Sequence, residues 1–331
     1  MPDNNSQLPL VLVIGATGMT GHSIVKGLLE SGNFRVAALV RPASQSKPAV
    51  QEFRASGVEI RVGDITDSAA QLKGILTGVS IVVSAVVAWA LTGQKELFRI
   101  AKEVGVQRVV PCDFGTPGKH GVRKLHDEKL AIHDFIEDLG IPHTYIDVGW
   151  WMQLTLPLPT RSKVPDVWKE GSWTLHGAGD TKMLVTDLRH IGVFVARIIA
   201  DPRTLDRSVI AWEEELTELE THEIGERASG EADVLKAKRS HASVDDIVKL
   251  AGEAEAGVAQ DPILALMTRS YNQYMYSMHV LGENSLEYAT KTLGYLDARE
   301  LYPDLPKYTL QEFAKEYYVL EEPGQEYIRY D

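Results

Sequence analysis

Cysteine is all but absent from this chain. Cys112 is the only one in 331 residues, which excludes an intrachain disulfide and a cysteine-cluster metal site and fits a reducing, cytoplasmic setting. Basic charge is also short: 34 Lys and Arg stand against 46 Asp and Glu, a net charge of -12. Nucleic acid and anionic membranes both require positive potential, so neither is an expected partner. The start, Met1-Pro2-Asp3-Asn4-Asn5-Ser6, lacks the basic segment of a signal peptide. The longest apolar stretch, residues 79–91, is too short to span a membrane. No repeat with a period of about 20–50 residues runs along the chain, which sets solenoids and propellers aside. No metal site is expected, and both a monomer and a homodimer remain open.

What is present is an apolar content of 44% in a chain long enough to bury a large core and divide into two lobes. Its first ordered signal is Leu10-Val11-Leu12-Val13-Ile14, an apolar run that reads as a buried parallel strand. Gly15-Ala16-Thr17-Gly18-Met19-Thr20-Gly21 follows, with glycine at every third position. Gly15 permits a tight turn, Gly18 lets the backbone approach a pyrophosphate, and Gly21 allows close helix–strand packing. A helix expected over 22–31 would aim its free N–H groups and positive dipole end at the phosphates. Thr17, Met19 and Thr20 belong to the same cofactor-binding turn. The plainer alternative is a strand–turn–helix with flexible glycines and no ligand.

A second buried strand over 35–40 ends at Arg41. An acid at this point selects NAD through the ribose hydroxyls, whereas an arginine meets the 2′-phosphate of NADP. No acid occurs until Glu52, so Arg41 points to NADPH, with Ser44 and Lys47 as further donors. The competing reading is a solvated cation at a strand end. Asp64, after a third strand over 59–62, either approaches the adenine or caps a helix. Ser84 and Ala85 end a fourth strand over 80–85, and Val148 ends a sixth over 143–148. All three face the cofactor if ligands lie outside the carboxyl ends of the strands.

The fifth strand spans 108–111, and helices are expected over 47–56, 68–76, 92–104 and 124–139. This alternation predicts an α/β fold with a doubly wound parallel (Rossmann) sheet over residues 1–154. Residues 155–331 then form mainly a smaller α+β substrate lobe, with some segments returning to the first. Residues 115–123 read as a long exposed Gly/Pro/basic loop. Later helices are expected over 186–199, 244–250, 286–293 and 310–318, with a polar mobile connection at 253–260. Tyr271, Tyr274, Tyr276 and Met278 are placed to cover the site, although their spacing fits neither a helix nor a strand.

Several short matches occur in one order along nearly the whole chain: the glycine turn, Leu39-Val40-Arg41, Gly63-Asp64, Pro111-Cys112-Asp113-Phe114-Gly115, Gly140-Ile141-Pro142-His143-Thr144-Tyr145, Gly179-Asp180-Thr181-Lys182, Asp201-Pro202-Arg203-Thr204, and Leu301-Tyr302-Pro303-Asp304 with Tyr308-Thr309. Together they resemble the isoflavone reductase-like group of atypical short-chain dehydrogenases, within the wider NmrA-like set, and Gly149-Trp150-Trp151 is more similar to fungal members. The resemblance implies NADPH-dependent hydride delivery to a small aromatic or polyketide-type molecule.

Ordinary short-chain dehydrogenases carry Y-x-x-x-K; here that spacing reads Leu125-His126-Asp127-Glu128-Lys129, without the tyrosine. The resemblance places Lys129 on the family's catalytic lysine, as a general acid/base that also holds the cofactor. Desolvation would favour its neutral form. By spacing alone, Lys129 reads as a surface lysine on an amphipathic helix, paired with Asp127 or Glu128; the resemblance reverses that reading. His120 and His126 flank it as possible proton carriers. Phe114, Trp150, Trp151 and Met152 are expected to line the substrate pocket, or alternatively to fill the core between the lobes. Two other functions stay open: a non-catalytic cofactor-binding regulatory sensor, and a redox-neutral isomerase, cyclase or dehydratase on the same fold.

Overall fold

The computed structural model describes residues 8–256 and 262–324. β1 (Leu10–Ile14), fully buried, leads through the glycine turn into α1 (Met19–Ser31). The helix begins three residues before the expected position because Gly18 is its N-cap and Gly21 lies inside its first turn. β2 (Arg35–Val40), α2 (Pro48–Ala55), β3 (Glu59–Val62), α3 (Ala69–Ile75), β4 (Ile81–Ser84), α4 (Gln94–Glu103) and β5 (Arg108–Val110) follow in strict alternation. Their strands form a parallel sheet in the order β3-β2-β1-β4-β5. α4 shows how the layers are held. Leu97, Phe98, Ile100 and Ala101 are buried against the sheet, while Glu96, Arg99 and Glu103 form an ion-pair row on the outer face.

α5 (Lys124–Leu139) leads to β6 (Thr144–Asp147). A single parallel bridge between Val109 and His143 joins β5 to this edge. The chain then leaves the sheet through β7 (Trp150–Trp151), α6 (Asp166–Ser172), β8 (Thr174–His176) and β9 (Lys182–Thr186). It comes back with α7 (Ile191–Ala200) and β10 (Arg207–Ile210), which pairs parallel to β6. The expected helix over 186–199 is therefore two elements: β9 ends at Thr186, and Asp187 opens a short turn before α7. Apolar residues on both sides of that junction concealed it.

A second excursion comprises β11 (Glu214–Thr217), α8 (Glu218–Ser229), α9 (Ala232–Lys238), β12 (Ser240–Ala242), α10 (Val244–Ala256) and α11 (Pro262–Met275). β13 (Leu296–Asp297) then adds to β10, before α12 (Ala298–Leu301) and α13 (Leu310–Tyr317). β11 and β7 flank β9, antiparallel and parallel respectively. α10 continues to residue 256, so residues 253–256 are helical rather than a loose connection; residues 257–260 lie outside the described residues. The tyrosine-rich segment is also helical. α11 runs into a π-helical turn, Tyr276–Val280, whose wider pitch removes the 3.6-residue period. A second π turn, Tyr288–Thr292, sits in the helix expected over 286–293. Among the described residues, no helix is long and apolar enough to cross a membrane.

Candidate functional site

The site is built at the carboxyl ends of the parallel strands. Gly15 has φ 72°, and a Cβ on it would stand 2.2 Å from the Ala85 carbonyl oxygen at the end of β4. A Cβ on Gly21 would stand 2.2 Å from the Gly15 carbonyl oxygen. Neither position accepts a side chain. Gly18 is different: it is exposed, and the nearest atom to an added Cβ is 3.3 Å away. α1 has no side-chain cap and no acid in its first turn, so its positive end is uncompensated. Thr17, Gly18, Met19 and Thr20 all keep exposed surface there.

Arg41 is exposed, and its side chain has no hydrogen-bond or ion-pair partner among the described residues. Ser44 is buried behind it. Ser84 pairs with Ile14, is fully buried, and its hydroxyl has no hydrogen-bond partner. Asp64 is not a helix cap; Ser68 caps α3, and Asp64 accepts from the amide and hydroxyl of Thr66. A cavity of about 410 Å³ lined by Ile65, Asp67, Gly93 and Phe135 lies in that neighbourhood. The free helix end, the unpartnered arginine and the orphaned serine hydroxyl together suit a dinucleotide carrying an extra phosphate.

On the other side of the strand ends, Phe114 takes a positive φ of 38°. Its N–H donates to the Ile146 carbonyl, and the Gly115 carbonyl accepts from Val148 and Gly149. Phe114, Val148 and Met152 are enclosed in apolar core, at 3%, 0% and 0% exposure. Among the expected pocket walls, Trp150 and Trp151 retain exposed surface. Trp151 donates its indole N–H to the Phe114 carbonyl at 3.2 Å, and Trp150 packs against Tyr274 at 5.4 Å between ring centroids.

Lys129 projects from α5 and donates from Nζ to the Asp113 carbonyl at 2.5 Å. Burial pulls its pKa down, as the sequence suggested. Its acidic neighbours, Tyr274, Cys112, Asp113 and Asp147, outweigh burial. The net direction is upward, so Lys129 stands as an ammonium rather than a neutral amine. Burial pushes the Cys112 thiol up to about 11, which keeps it uncharged.

The histidines have different places. His120 is a solvated loop residue, 78% exposed at its side chain and 4.0 Å from Asp127. His126 is buried and bonds the Gly118 carbonyl at 2.8 Å; burial, with help from Arg123 and Lys129, drives its pKa down to about 3. It is a neutral strut of the loop. Residues 115–123 are not wholly exposed as their composition suggested: Thr116, Pro117 and Gly118 are buried, as is Arg123, whereas Lys119, His120 and Gly121 face solvent. Arg123, a residue the sequence did not single out, donates to the Thr116 hydroxyl at 2.5 Å and to the Thr116 and Pro117 carbonyls at 3.1 and 2.8 Å.

Beneath Lys129, His133 holds the Asp113 carboxylate at 2.9 Å and stacks on Tyr145 at 3.6 Å. Burial lowers its pKa, but the Asp113 carboxylate more than compensates and the net shift is upward. The folded state therefore retains a proton that the unfolded chain releases near 6.5. The stabilisation is complete below pH 6.5 and is lost as pH rises through the raised value. In thermal melts from pH 6.5 upward, the wild type should lose stability more steeply than His133→Gln; parallel curves would refute the assignment.

Among the described residues, one group has a metal-ligating donor set, His176, Glu218 and His279 in the second lobe. Glu218 there accepts from the His176 amide at 2.7 Å and bonds its ring at 2.8 Å, so hydrogen bonds already satisfy the carboxylate.

Comparison with known proteins agrees with this architecture. The model of the NmrA-like family matches residues 8–314. The chain is 33% identical over 311 residues to asnovolin J 5′,6′-dehydrogenase of Aspergillus novofumigatus (strain IBT 16806), covering 92% of this chain and 94% of that protein. It is 27% identical to the probable pinoresinol-lariciresinol reductase 3 of Arabidopsis thaliana, covering 92% and 95%. The structure of the binary leucoanthocyanidin reductase–NADPH complex from Vitis vinifera superposes with a TM-score of 0.74 at 24% identity, covering 94% and 100% of the two chains. The chain belongs to the NmrA-like family and resembles its isoflavone reductase-like members.

Proposed function

We propose that the protein is an NADPH-dependent oxidoreductase acting on a small aromatic or polyketide-type metabolite, with Lys129 as its acid–base centre. The observation that carries this reading is the position of Lys129. Its ammonium is fixed by the Asp113 carbonyl at the carboxyl ends of the sheet, on the edge shared with the glycine turn. Relatives named as a dehydrogenase and a pinoresinol-lariciresinol reductase support the same chemistry.

Gly15, Gly18 and Gly21 would bring the backbone to the pyrophosphate, with Met19 and Thr20 at the open end of α1. Arg41 would hold the 2′-phosphate, and Ser84 with Ala85 would flank the nicotinamide end. NADPH bound there supplies a hydride. Lys129 offers a fixed positive charge and a proton to the oxygen that becomes electron-rich, which is the condition for electrostatic and acid catalysis. Trp150 and Trp151 provide the apolar wall for a flat substrate.

The test is to mix the protein with NADPH and phenolic, quinonoid or enone substrates while following the reduced-nicotinamide absorbance and the products. Coupled consumption and product formation are expected. Binding without turnover would instead identify a sensor, and product without NADPH consumption a redox-neutral enzyme. Cofactor choice has its own check. Arg41→Ala should weaken NADPH binding by about tenfold to a hundredfold, the equivalent of a charge-assisted contact, and leave NADH binding unchanged. Equal losses for both nucleotides would contradict the phosphate assignment.

A further inference from the structure

Gly115 presents a face without a side chain to two hydrogen-bond donors from different elements, Lys129 on α5 and Tyr274 on α11. A Cβ added to Gly115 would stand 3.4 Å from Lys129 Nζ and 3.6 Å from the Tyr274 hydroxyl oxygen, so both groups border the face of this residue that carries no side chain. Its third neighbour, the Asp113 carbonyl oxygen at 3.5 Å, is engaged with the Lys129 ammonium. Gly115 itself is only half-buried, so the position opens outward. Its own carbonyl is fastened to the Val148 and Gly149 amides, which fixes the floor.

Both donors are held by one junction. Arg123, fully buried, occupies the N-cap position of α5, the helix that carries Lys129, without capping it through its side chain. Its guanidinium lies over the Tyr274 ring at 4.7 Å, and Trp150 packs on the same ring. The Lys124 amide donates to Gln273 at 3.0 Å, tying the first turn of α5 to the residue preceding Tyr274. The π turn begins two residues after Tyr274, and such turns are frequent where a helix must present a functional side chain.

We infer that the face of Gly115 bordered by Lys129 and Tyr274 is an oxygen seat: it takes the carbonyl or quinonoid oxygen of the substrate, and Tyr274 is the immediate proton donor. The inference rests on the acid–base role of Lys129 and extends it. Hydride addition to the adjacent substrate carbon drives the C=O π pair, directly or through a conjugated C=C, onto the seated oxygen. The Tyr274 O–H bond breaks and its proton joins that oxygen. The Tyr274 oxygen regains a proton from the Lys129 ammonium, which recovers its own from water. A hydroxyl missing from the Y-x-x-x-K spacing at Leu125 is thus supplied by α11.

The variants are Gly115→Ala and Tyr274→Phe, with Lys129→Ala for comparison. A methyl on residue 115 has ordinary backbone geometry and ordinary contacts, so Gly115→Ala should fold and simply fill the seat; it decides the matter if Tyr274→Phe fails to fold. The binding probe is 4-nitrophenol, titrated into the protein–NADP⁺ complex and read by the absorbance of its phenolate. The wild-type complex should bind the phenolate, and both variants should lose tenfold or more in affinity. Their kcat should fall by about a hundredfold or more, the scale of a lost proton donor, with NADPH affinity unchanged. Wild-type affinity and turnover in both variants, or no phenolate binding by the wild-type complex, would overturn the seat. If Lys129→Ala alone is inactive, the seat fails and the acid–base role stands. If Lys129→Ala is active, the acid–base role itself fails.

Discussion

Lys129→Ala is expected to lower kcat by about 10²–10⁴-fold, the range for loss of a positioned acid–base group, while the protein still folds and binds NADPH. The geometry explains the separation of effects. Lys129 lies half-buried on α5 and donates to a backbone carbonyl, that of Asp113. Removing the side chain opens a small space and leaves no carboxylate stranded, since Asp113 keeps its two contacts with His133. The proposed pyrophosphate contacts come from the glycine turn and α1, which Lys129 does not touch. Because anionic neighbours hold the amine in its charged form, Lys129→Gln should be nearly as damaged as alanine: it retains hydrogen-bonding capacity but neither charge nor a mobile proton. Lys129→Arg restores charge without a readily transferable proton, so partial rescue would assign part of the effect to electrostatics. Steady-state kinetics beside an NADPH titration makes the check. Turnover surviving in the alanine variant at unchanged affinity would remove Lys129 from the chemistry.

The parallel sheet was legible because its central strands β1, β2 and β4 are short, largely apolar runs, and the edge strand β3, with Glu59 and Arg61, still alternates with helices at the same spacing. β2, β3 and α5 fall on their expected bounds. The cofactor turn was equally plain, since a tight approach to Ala85 and α1 admits only glycine at positions 15 and 21. Side-chain direction at the strand ends was not legible. Phe114 and Met152 were expected in the pocket wall by position, but the positive φ at Phe114 and the turn after β7 carry them into the core. Arg123 looked like loop charge because the carbonyls that bury it belong to a folded loop, which no local pattern encodes. Tyr274 was placed over the site together with Tyr271, Tyr276 and Met278, but nothing distinguished it among them, because the π turn breaks the helical period that would have identified the face. The charge state of Lys129 also depends on residues distant in sequence. Desolvation was foreseeable; the carboxylates of Asp113 and Asp147 beside it were not.

Gly192→Ala should be the most damaging small substitution outside the site, costing about 3 kcal/mol or more, at or beyond the upper end of ordinary overpacking. α1 and α7 cross with their backbones touching at this point. A Cβ on Gly192 would lie 1.8 Å from the Ser23 carbonyl oxygen, and one on Gly27 would lie 2.1 Å from the Gly192 carbonyl carbon. The opposing atoms are backbone, so no side-chain rotation relieves the overlap; the helices themselves must separate. Separation breaks a reciprocal pair in which Gly192 N–H donates to the Ser23 hydroxyl and that hydroxyl donates to the Arg189 carbonyl, each at 3.0 Å. It also loosens Ile24, Leu28, Val195 and Ile199 within one apolar cluster. On the proposed cofactor site the consequence reaches NADPH, because the displaced helix is the one whose N-terminus is assigned to the phosphates. NADPH affinity should therefore fall together with the denaturation midpoint. Gly74→Ala is the matched control: residue 74 lies inside α3 with no atom within 4 Å of an added Cβ, and alanine there should stabilise by about 0.5–1 kcal/mol through helix propensity. Chemical denaturation of the two variants should show shifts of opposite sign; a Gly192→Ala midpoint equal to wild type would show that the α1–α7 contact is looser than its geometry demands.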